Sequence, residues 1–533
     1  MKMTSERKKT LLFLFIFSLV SLVHSYRILG VFPLNAKSHF IVIEAVMKGL
    51  AKRGHQVDVI SHFPQKKPLK NYIDIINLEG TMETLVNNFT LNFILQTKDD
   101  DTRFIAEEYG NRLCHFMGFE EMQKLIKNPP EDPPYDLVIT EAFGAHCYMG
   151  LGYVFKVPVI AISSAIEYPW VSYFIGNDDN LAYVPNALHI GAGQMNFYER
   201  LKNVFLNYIE MKKFHKVTEI SQTESMRKYL SPDIPNIREI EKNVALTLVN
   251  SNFVLSGIKP TTPALVQVAG IHINAEDQIL SANLKKWMDE SVHGVIYFSF
   301  GSMVLIESFP QNQVKDFYAC FTKIAPIRVL MKIANDTNLP KALPSNVKTL
   351  SWIPQQAILA HPNTKIFITH GGLGGVQEAL YFGIPMIGIP LFGDQFRNVE
   401  VFVAKQTMLK IDREQISKKT LGSAIDALIH NSIYKDKVKY YSKLFRDQPM
   451  SPMETAIYWI EYIIRNGDKV LRSPALELSF IQLSQLDIYG FLLIVTISIL
   501  SMLIMCVKFL INIFKNKFIS TAKTKKILTK KTE

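Results

Sequence analysis

Residues 367–395 read FITHGGLGGVQEALYFGIPMIGIPLFGDQ, and the rest of the fold can be worked out from this stretch. An apolar run ends at Thr369, a glycine turn follows, then an amphipathic segment with one carboxylate, a second apolar run and an acid-amide pair. The spacing predicts strand, turn, helix, strand. Gly371, Gly372, Gly374 and Gly375 remove side chains where the helix starts, so backbone N–H groups can approach an anion closely. Phosphate is the natural guest. His370, at the strand end, can hydrogen-bond a phosphate oxygen, and Glu378, one turn into the helix, can accept from a pair of ribose hydroxyls. Asp394 and Gln395 follow the second strand, at the sheet edge where an open α/β fold gathers its ligands. The glycines match neither G-x-G-x-x-G nor G-x-x-x-x-G-K-[ST], which removes the main support for a dehydrogenase or a P-loop enzyme.

Taken with Pro385, Pro390 and the closing Asp394-Gln395, this segment resembles the signature of the UDP-glycosyltransferase family. Trp352-Ile353-Pro354-Gln355, then Leu359 and His361-Pro362, stand upstream at that family's offsets. The resemblance implies the GT-B architecture of two Rossmann-like doubly wound α/β domains facing a cleft, with a UDP-sugar as co-substrate and neither cofactor nor metal. Trp352 becomes the expected uracil platform, with Gln355 presenting donor and acceptor to base or ribose edges. Tyr297-Phe298-Ser299-Phe300-Gly301-Ser302 resembles the phosphate-contacting loop, with Ser302 as the contact. Where the family often has Ser this chain has Gly375, leaving only a backbone N–H. Asp394 and Gln395 are expected to hold sugar hydroxyls and Asn398 to help place their loop, while His361 is expected only to pack or cap.

On the acceptor side, His39 follows the first strand and matches the family's catalytic histidine. Glu141, closing the strand that begins at Tyr135, is its expected carboxylate partner where many members carry Asp. The implied chemistry is an inverting transfer: His39 takes the acceptor proton, Glu141 stabilises the imidazolium, and the glycine turn, His370 and the helix dipole meet the charge on departing UDP. The chain looks most like the insect branch of the microsomal family, which implies UDP-glucose and lipophilic phenols or alcohols. Arg397 is the one arginine near the sugar loop that could clamp a uronate. Asp99-Asp100-Asp101 reads as a solvated acidic loop rather than a metal motif. The competing reading is a non-catalytic, membrane-tethered protein that keeps the cradle, and His39 with a carboxylate at 141 disfavours it.

Strand-helix alternation runs twice through the chain. Expected strands are 26–32, 56–61, 73–78, 136–140 and 157–163, with a helix at 40–52 ending at Gly54. Runs at 244–251 and 267–273 lead into strands at 294–300, 329–333, 348–351, 365–369 and 385–389. An N-terminal acceptor domain at 26–252, a linker at 253–289 interrupted by Pro260 and Pro263, and a donor domain at 290–470 follow. A last helix at 452–466 should return across the first domain, as it does in the similar family.

The formal charge of +11 suggests nucleic acid until it is located: residues 1–25 carry +3 and residues 508–533 carry +7, so the body is close to neutral. The first 25 residues read as a secretory signal. Residues 488–507 hold no charge and are long enough to span a bilayer, with lysines crowding only the far side. Expected topology is single-pass type I in the endoplasmic reticulum membrane, with a lumenal body and a basic cytoplasmic tail at 508–533 whose Lys530-Lys531 resembles a dilysine retrieval signal. Asn88 and Asn335 head glycosylation sequons. Four cysteines make no disulfide framework; at most one lumenal bridge is available, and free buried thiols are the expectation. Homo-oligomerisation stays open.

Overall fold

The computed structural model describes residues 25–97, 100–188, 194–274 and 279–529. The expected signal peptide and the Lys530-Lys531 signal lie outside them. The chain forms two compact units, one running to Ser473 and one starting at Pro474.

The first unit holds two parallel sheets. Strands β1 (Arg27–Phe32), β2 (Gln56–Ser61), β3 (Tyr72–Asn77), β4 (Leu137–Glu141), β5 (Val159–Ser163), β6 (Val244–Val249) and β7 (Leu265–Gln267) pair in the order β3-β2-β1-β4-β5-β6-β7. Strands β8 (Val295–Ser299), β9 (Arg328–Lys332), β10 (Val347–Leu350), β11 (Thr364–Thr369), β12 (Met386–Gly388) and β13 (Met408–Lys410) pair as β10-β9-β8-β11-β12-β13. Nearly every residue of β1, β4, β5, β6 and β8 is buried, as strands covered on both faces must be. In each sheet the winding reverses beside the first strand, between β1 and β4 and between β8 and β11, and such switch points open the crevices in which doubly wound sheets bind ligands.

Helix α1 (Lys37–Arg53) follows β1 and ends at Gly54, whose φ of 113° supplies the left-handed cap. Helices α2 (Asp101–Glu108) and α3 (Phe197–Tyr229) pack together on the first domain. In the second domain α4 (Leu373–Phe382) follows β11 and α5 (Gln395–Ala404) follows β12. Helix α6 (Pro452–Asn466) starts with a capping box at Ser451 and Glu454 and buries Ala456, Ile457, Ile460 and Ile463 in the first domain's core, among α1, β1 and β6.

The expected linker at 253–289 is not a simple connection. Leu265–Gln267 is the seventh strand of the first sheet, so that domain extends past residue 252, and 267–273 is no strand. The strand at 244–249 likewise belongs to the first sheet, between β5 and β7, and does not open the second. Phe89, Leu91 and Ile94 lie in the second domain's core although they follow β3. The chain there adds to the loop after β8: N–H groups of Asn87 and Phe89 donate to the carbonyls of Ser302 and Met303, and Leu305 N–H donates back to Phe89.

Cysteine pairing corrects the free-thiol expectation. Cys114 and Cys147 form a disulfide with Cα atoms 6.1 Å apart, because the 3-10 segment carrying Cys114 packs against the loop after β4. Their separation of 33 residues carried no sign of this contact. Cys320 is free and buried.

In the second unit, helix α7 (Leu486–Thr529) is one uninterrupted helix whose first 38 residues have a mean hydropathy of 2.7 in their most apolar window. It is longer than the expected span at 488–507 and carries the expected tail in helical form through Thr529.

Candidate active site

The carboxyl edges of both sheets border one cavity of about 570 Å³. His39 enters it from the first turn of α1, and Glu141 is the last residue of β4, β1's parallel neighbour. His39 Nδ1 lies 2.7 Å from Glu141 Oε1. Ser164, directly after β5, completes a triangle: its Oγ donates to the same Oε1 at 2.6 Å and lies 2.7 Å from His39 Nδ1. Phe143 packs its ring edge against the imidazole at 4.6 Å between centroids. With Nδ1 committed to this network, Nε2 is the ring atom left for another molecule. Sequence reasoning missed Ser164, because its position depends on β5 pairing with β4.

Opposite stands the glycine turn. His370 follows β11, and its ring lies between two glycines: a Cβ on Gly301 would sit 2.7 Å from its Cε1, and one on Gly372 would sit 2.6 Å from its Nε2. Gly301 and Gly371 have φ of 78° and 86°, which glycine adopts without strain. Burial, helped by Lys332, pushes the His370 imidazole down to about 3, so at neutral pH it is an uncharged donor. Its Nδ1 and the Ser302 Oγ are buried polar atoms with no protein partner among the described residues. Both belong to cavity-lining residues, as do Gly372, Gly374 and Gly375, and this is what an anion cradle requires.

The predicted base platform is open. Trp352 lines the cavity and is 52% exposed, which rules out core packing as its role. Gln355 donates to Glu378 at 2.7 Å and accepts from the Tyr297 hydroxyl at 3.1 Å; Gln356 also donates to Glu378, at 3.1 Å. Glu378 is thus a fixed carboxylate at the cavity wall. Asp394 precedes α5 but makes no side-chain cap bond, so helix capping does not explain it. Asn398 donates to Asp394 at 2.9 Å and to the Gly371 carbonyl at 3.1 Å, tying the sugar loop to the glycine turn. Burial pushes the Asp394 carboxyl up, while Asn398 and the nearby His39 hold it down. Gln395 accepts from the Leu391 and Phe392 N–H groups, fixing its own loop.

Lys332, at the end of β9, was not foreseen. Its ammonium donates to Asn87 Oδ1, lines the cavity near His370, and is pushed down to about 8 by burial, with Glu307 acting the other way. Among the described lining residues it is the sole lysine or arginine. Arg397 does not line this cavity. It borders a smaller neighbouring void with Glu167, Asp179 and Lys259.

Several expectations are refined. His361 does not merely pack; its Nε2 pairs with Asp289 at 3.1 Å. Of the acidic run, Asp99 lies outside the described residues, Asp100 caps α2 and pairs with Lys213, and Asp101 lines the cavity. The loop is therefore not simply a solvated face. At the sequons, the Asn88 amide donates to the Thr84 carbonyl inside the interdomain contact, whereas Asn335 is exposed and accepts from Thr337.

The family model described as "UDP-glucoronosyl and UDP-glucosyl transferase" matches residues 28–523. UDP-glucosyltransferase 2 of Dactylopius coccus is 36% identical over 490 residues, covering 91% of this chain and 93% of that protein. Human UDP-glucuronosyltransferase 2B15 is 28% identical, over 86% of this chain and 88% of its own. Among solved structures, glycosyltransferase VinC in complex with DTDP superposes with a TM-score of 0.55 at 16% identity, covering 83% of this chain and all of its own, and the kitacinnamycin glycosyltransferase with 0.52 at 17%, covering 82% and 98%. The fold is the GT-B fold. With a family model running almost end to end and relatives matched over nearly their whole length, the chain belongs to the UDP-glucuronosyl and UDP-glucosyl transferase family and is a UDP-sugar glycosyltransferase.

Proposed function

We propose that the chain transfers a neutral hexose, glucose, from its UDP carrier to a hydroxyl of a small lipophilic acceptor with inversion at the anomeric carbon. The observation carrying this reading is that His39 and the glycine turn line one cavity, with Nδ1 of His39 tied to Glu141 at 2.7 Å. His39 Nε2 takes the acceptor proton as its oxygen attacks from the first domain's side, and the anionic Glu141 steadies the imidazolium. UDP leaves on the other side, where neutral His370, Ser302, the turn's N–H groups and the Lys332 ammonium meet the diphosphate charge. Trp352 stacks the uracil, the Gln355–Glu378 pair receives the ribose, and Asp394 and Gln395 hold sugar hydroxyls.

Preference for a neutral sugar is supported by charge. Asp394 lines the cavity, Arg397 borders a separate void with Glu167 and Asp179, and Lys332 lies by His370. A uronate carboxylate would add a negative charge beside the buried Asp394 carboxyl, whose charge partners are His39 and Arg397, and of these Arg397 does not line the cavity. The relatives include both a glucosyltransferase and glucuronosyltransferases by name, so the assay must offer both donors. Phe89, Phe104, Tyr109, Phe143 and Tyr168 give the acceptor side an aromatic lining. Apolar α7, with lysines beyond its apolar part only, supports a single-pass type I protein whose body lies in the endoplasmic reticulum lumen.

Microsomes carrying the chain, given UDP-glucose or UDP-glucuronate and a phenol panel, test this directly. Expected products are β-glucosides, with transfer lowered by at least about a hundredfold in His39→Ala; equal use of the uronate donor, or an α-linked product, defeats the reading.

A further inference from the structure

Arg397 is buried in the first turn of α5, and its side chain does not line the active-site cavity. A buried guanidinium is costly unless acids meet it. Arg397 interacts with Asp394, just ahead of its own helix, and with two acids of the first domain, Glu167 and Asp179. Those two are themselves held by Lys259, whose ammonium lies 2.9 Å from Glu167 Oε1 and 3.0 Å from Asp179 Oδ1. The Lys259 and Glu167 side chains are only 5 and 2% exposed. One lysine balances one acid, so this corner of the first domain carries a surplus negative charge, and Arg397 of the second domain cancels it.

The space these four groups border is about 20 Å³, against about 570 Å³ for the active-site cavity, so it is no second pocket for a sugar or a nucleotide. Its importance lies in what it joins. Glu167 stands between Ser164 and Tyr168, which both line the cavity on the acceptor side. That loop is held firmly: Ser163 Oγ donates to the Ala165 and Ile166 carbonyls, and Asn250 Nδ2 donates to the Ser164 carbonyl at 2.9 Å. The Lys259 segment is tied to the Asp179 segment, with Thr262 N–H donating to Asn177 Oδ1 at 2.7 Å. In the second domain Arg397 adjoins Asn398, which bonds both Asp394 and the Gly371 carbonyl.

We propose that Arg397 is a positioning residue: by clasping Glu167 and Asp179 across the domain boundary, it sets the gap between the sugar loop and the acceptor loop in which transfer takes place. The new bond joins an acceptor oxygen delivered from the Ser164 side to an anomeric carbon held from the Asp394 side, so a misplacement of about 1 Å between the two loops is felt in the rate. Paired buried charges suit this task, because any shift in register leaves a charge unmatched away from water. The proposal deepens the hexose-transfer reading and rests on Asp394 and Gln395 holding the sugar hydroxyls.

The test gives the purified full chain UDP-glucose and a phenol, and measures both the glucoside formed and the glucose released when a water oxygen attacks the anomeric carbon in the phenol's place and UDP leaves. The ratio of these two products is independent of how much of the chain is folded. Arg397→Met should lower kcat about tenfold or more, raise the water-to-phenol ratio several-fold and leave UDP affinity within about twofold, since the diphosphate and base contacts are untouched. Arg397→Lys keeps the charge and should regain part of the kcat. Glu167→Gln opens the clasp from the first domain and should reproduce the change in ratio even where Arg397→Met folds poorly. The double variant Arg397→Met/Glu167→Gln restores charge balance, so its melting temperature should recover while kcat stays low and the ratio stays raised. Native kcat and ratio in Arg397→Met overturn the positioning role alone, as does recovery of both in the double variant, which assigns the cluster to stability. A native chain that binds UDP yet transfers no hexose overturns the hexose-transfer reading, and the positioning role with it.

Discussion

His39 and Glu141 are separated by 102 residues in sequence and by 2.7 Å in space, because β1 and β4 run parallel as neighbours and end at one edge. Ser164 reaches the same carboxylate oxygen from β5. The network makes distinct predictions for its three members. His39→Ala should lower kcat by about 10²–10⁴-fold with little change in donor KM. Glu141→Gln keeps an acceptor oxygen for His39 Nδ1 but removes the negative charge that steadies the imidazolium; losing the charge assistance of such a bond, worth about 1.5–3 kcal/mol, should cost roughly ten- to a hundredfold. Ser164→Ala should cost about tenfold or less. Steady-state kinetics check the ranking, and a Ser164→Ala loss equal to that of His39→Ala would contradict it.

His370 depends on the absence of two Cβ atoms. Gly372→Ala and Gly301→Ala each place a methyl against the ring, and at Gly301 the φ of 78° adds backbone strain. Each should lose about 1–3 kcal/mol of stability and weaken UDP binding at least several-fold. Thermal melts and calorimetric UDP titration measure both, and normal UDP affinity in either variant would remove His370 from the diphosphate site.

Burial makes stability depend on pH in a defined direction. An unfolded histidine binds its proton near 6.5 and native His370 only near 3, so between these values the unfolded chain holds the extra proton and native stability falls as pH drops from about 6.5 toward 3. Each pH unit there is worth up to about 1.4 kcal/mol. Lys332, lowered from 10.5 to about 8, penalises the native state in full below pH 8, and the penalty lifts as pH rises from 8 to 10.5. Urea midpoints across pH should be flatter below 6.5 in His370→Gln. Donor affinity should decline above about pH 8 in the native chain and be already weak and pH-insensitive there in Lys332→Met.

Gln377, fully buried on α4, joins the two domains: its Oε1 accepts from Gly270 N–H at 3.0 Å and its Nε2 donates to the Asn250 carbonyl at 2.9 Å. Gln377→Met leaves both backbone groups unpaired, at about 1–3 kcal/mol each. A lower urea midpoint and a raised donor KM are expected, and an unchanged midpoint would show that the two bonds are dispensable.

The Cys114–Cys147 bridge closes a loop of 33 residues. Its removal by Cys114→Ser/Cys147→Ser should cost about 2–4 kcal/mol. Thiol titration of the unfolded, unreduced native chain should find two free thiols; four would mean that the bridge does not form.

The donor half was legible because anion binding makes demands on the backbone itself. Glycines at 371–375, with His370 before them and Glu378 after, leave a mark in consecutive residues, and strands buried on both faces read as apolar runs. Ser164 and Lys332 left no such mark, since each becomes a site neighbour only through parallel strand pairing and Lys332 reads simply as the end of a strand. β13 has three residues, too few for a pattern. Asp394 could be read as a cap or as a ligand, and the missing side-chain cap bond decides against the cap.

Helix α6 comes last in the first unit yet fills the first domain's core, where Met453 presses on Gly49 and Ile457, Ile460 and Ile463 lie among β1, β2 and β6 residues. Exchanging acceptor halves between relatives is therefore a three-piece operation. A hybrid cut only once, between β7 and β8, inherits a plug shaped for a stranger's interior, so evolution and protein engineers alike must move Pro452–Asn466 together with the half it seals.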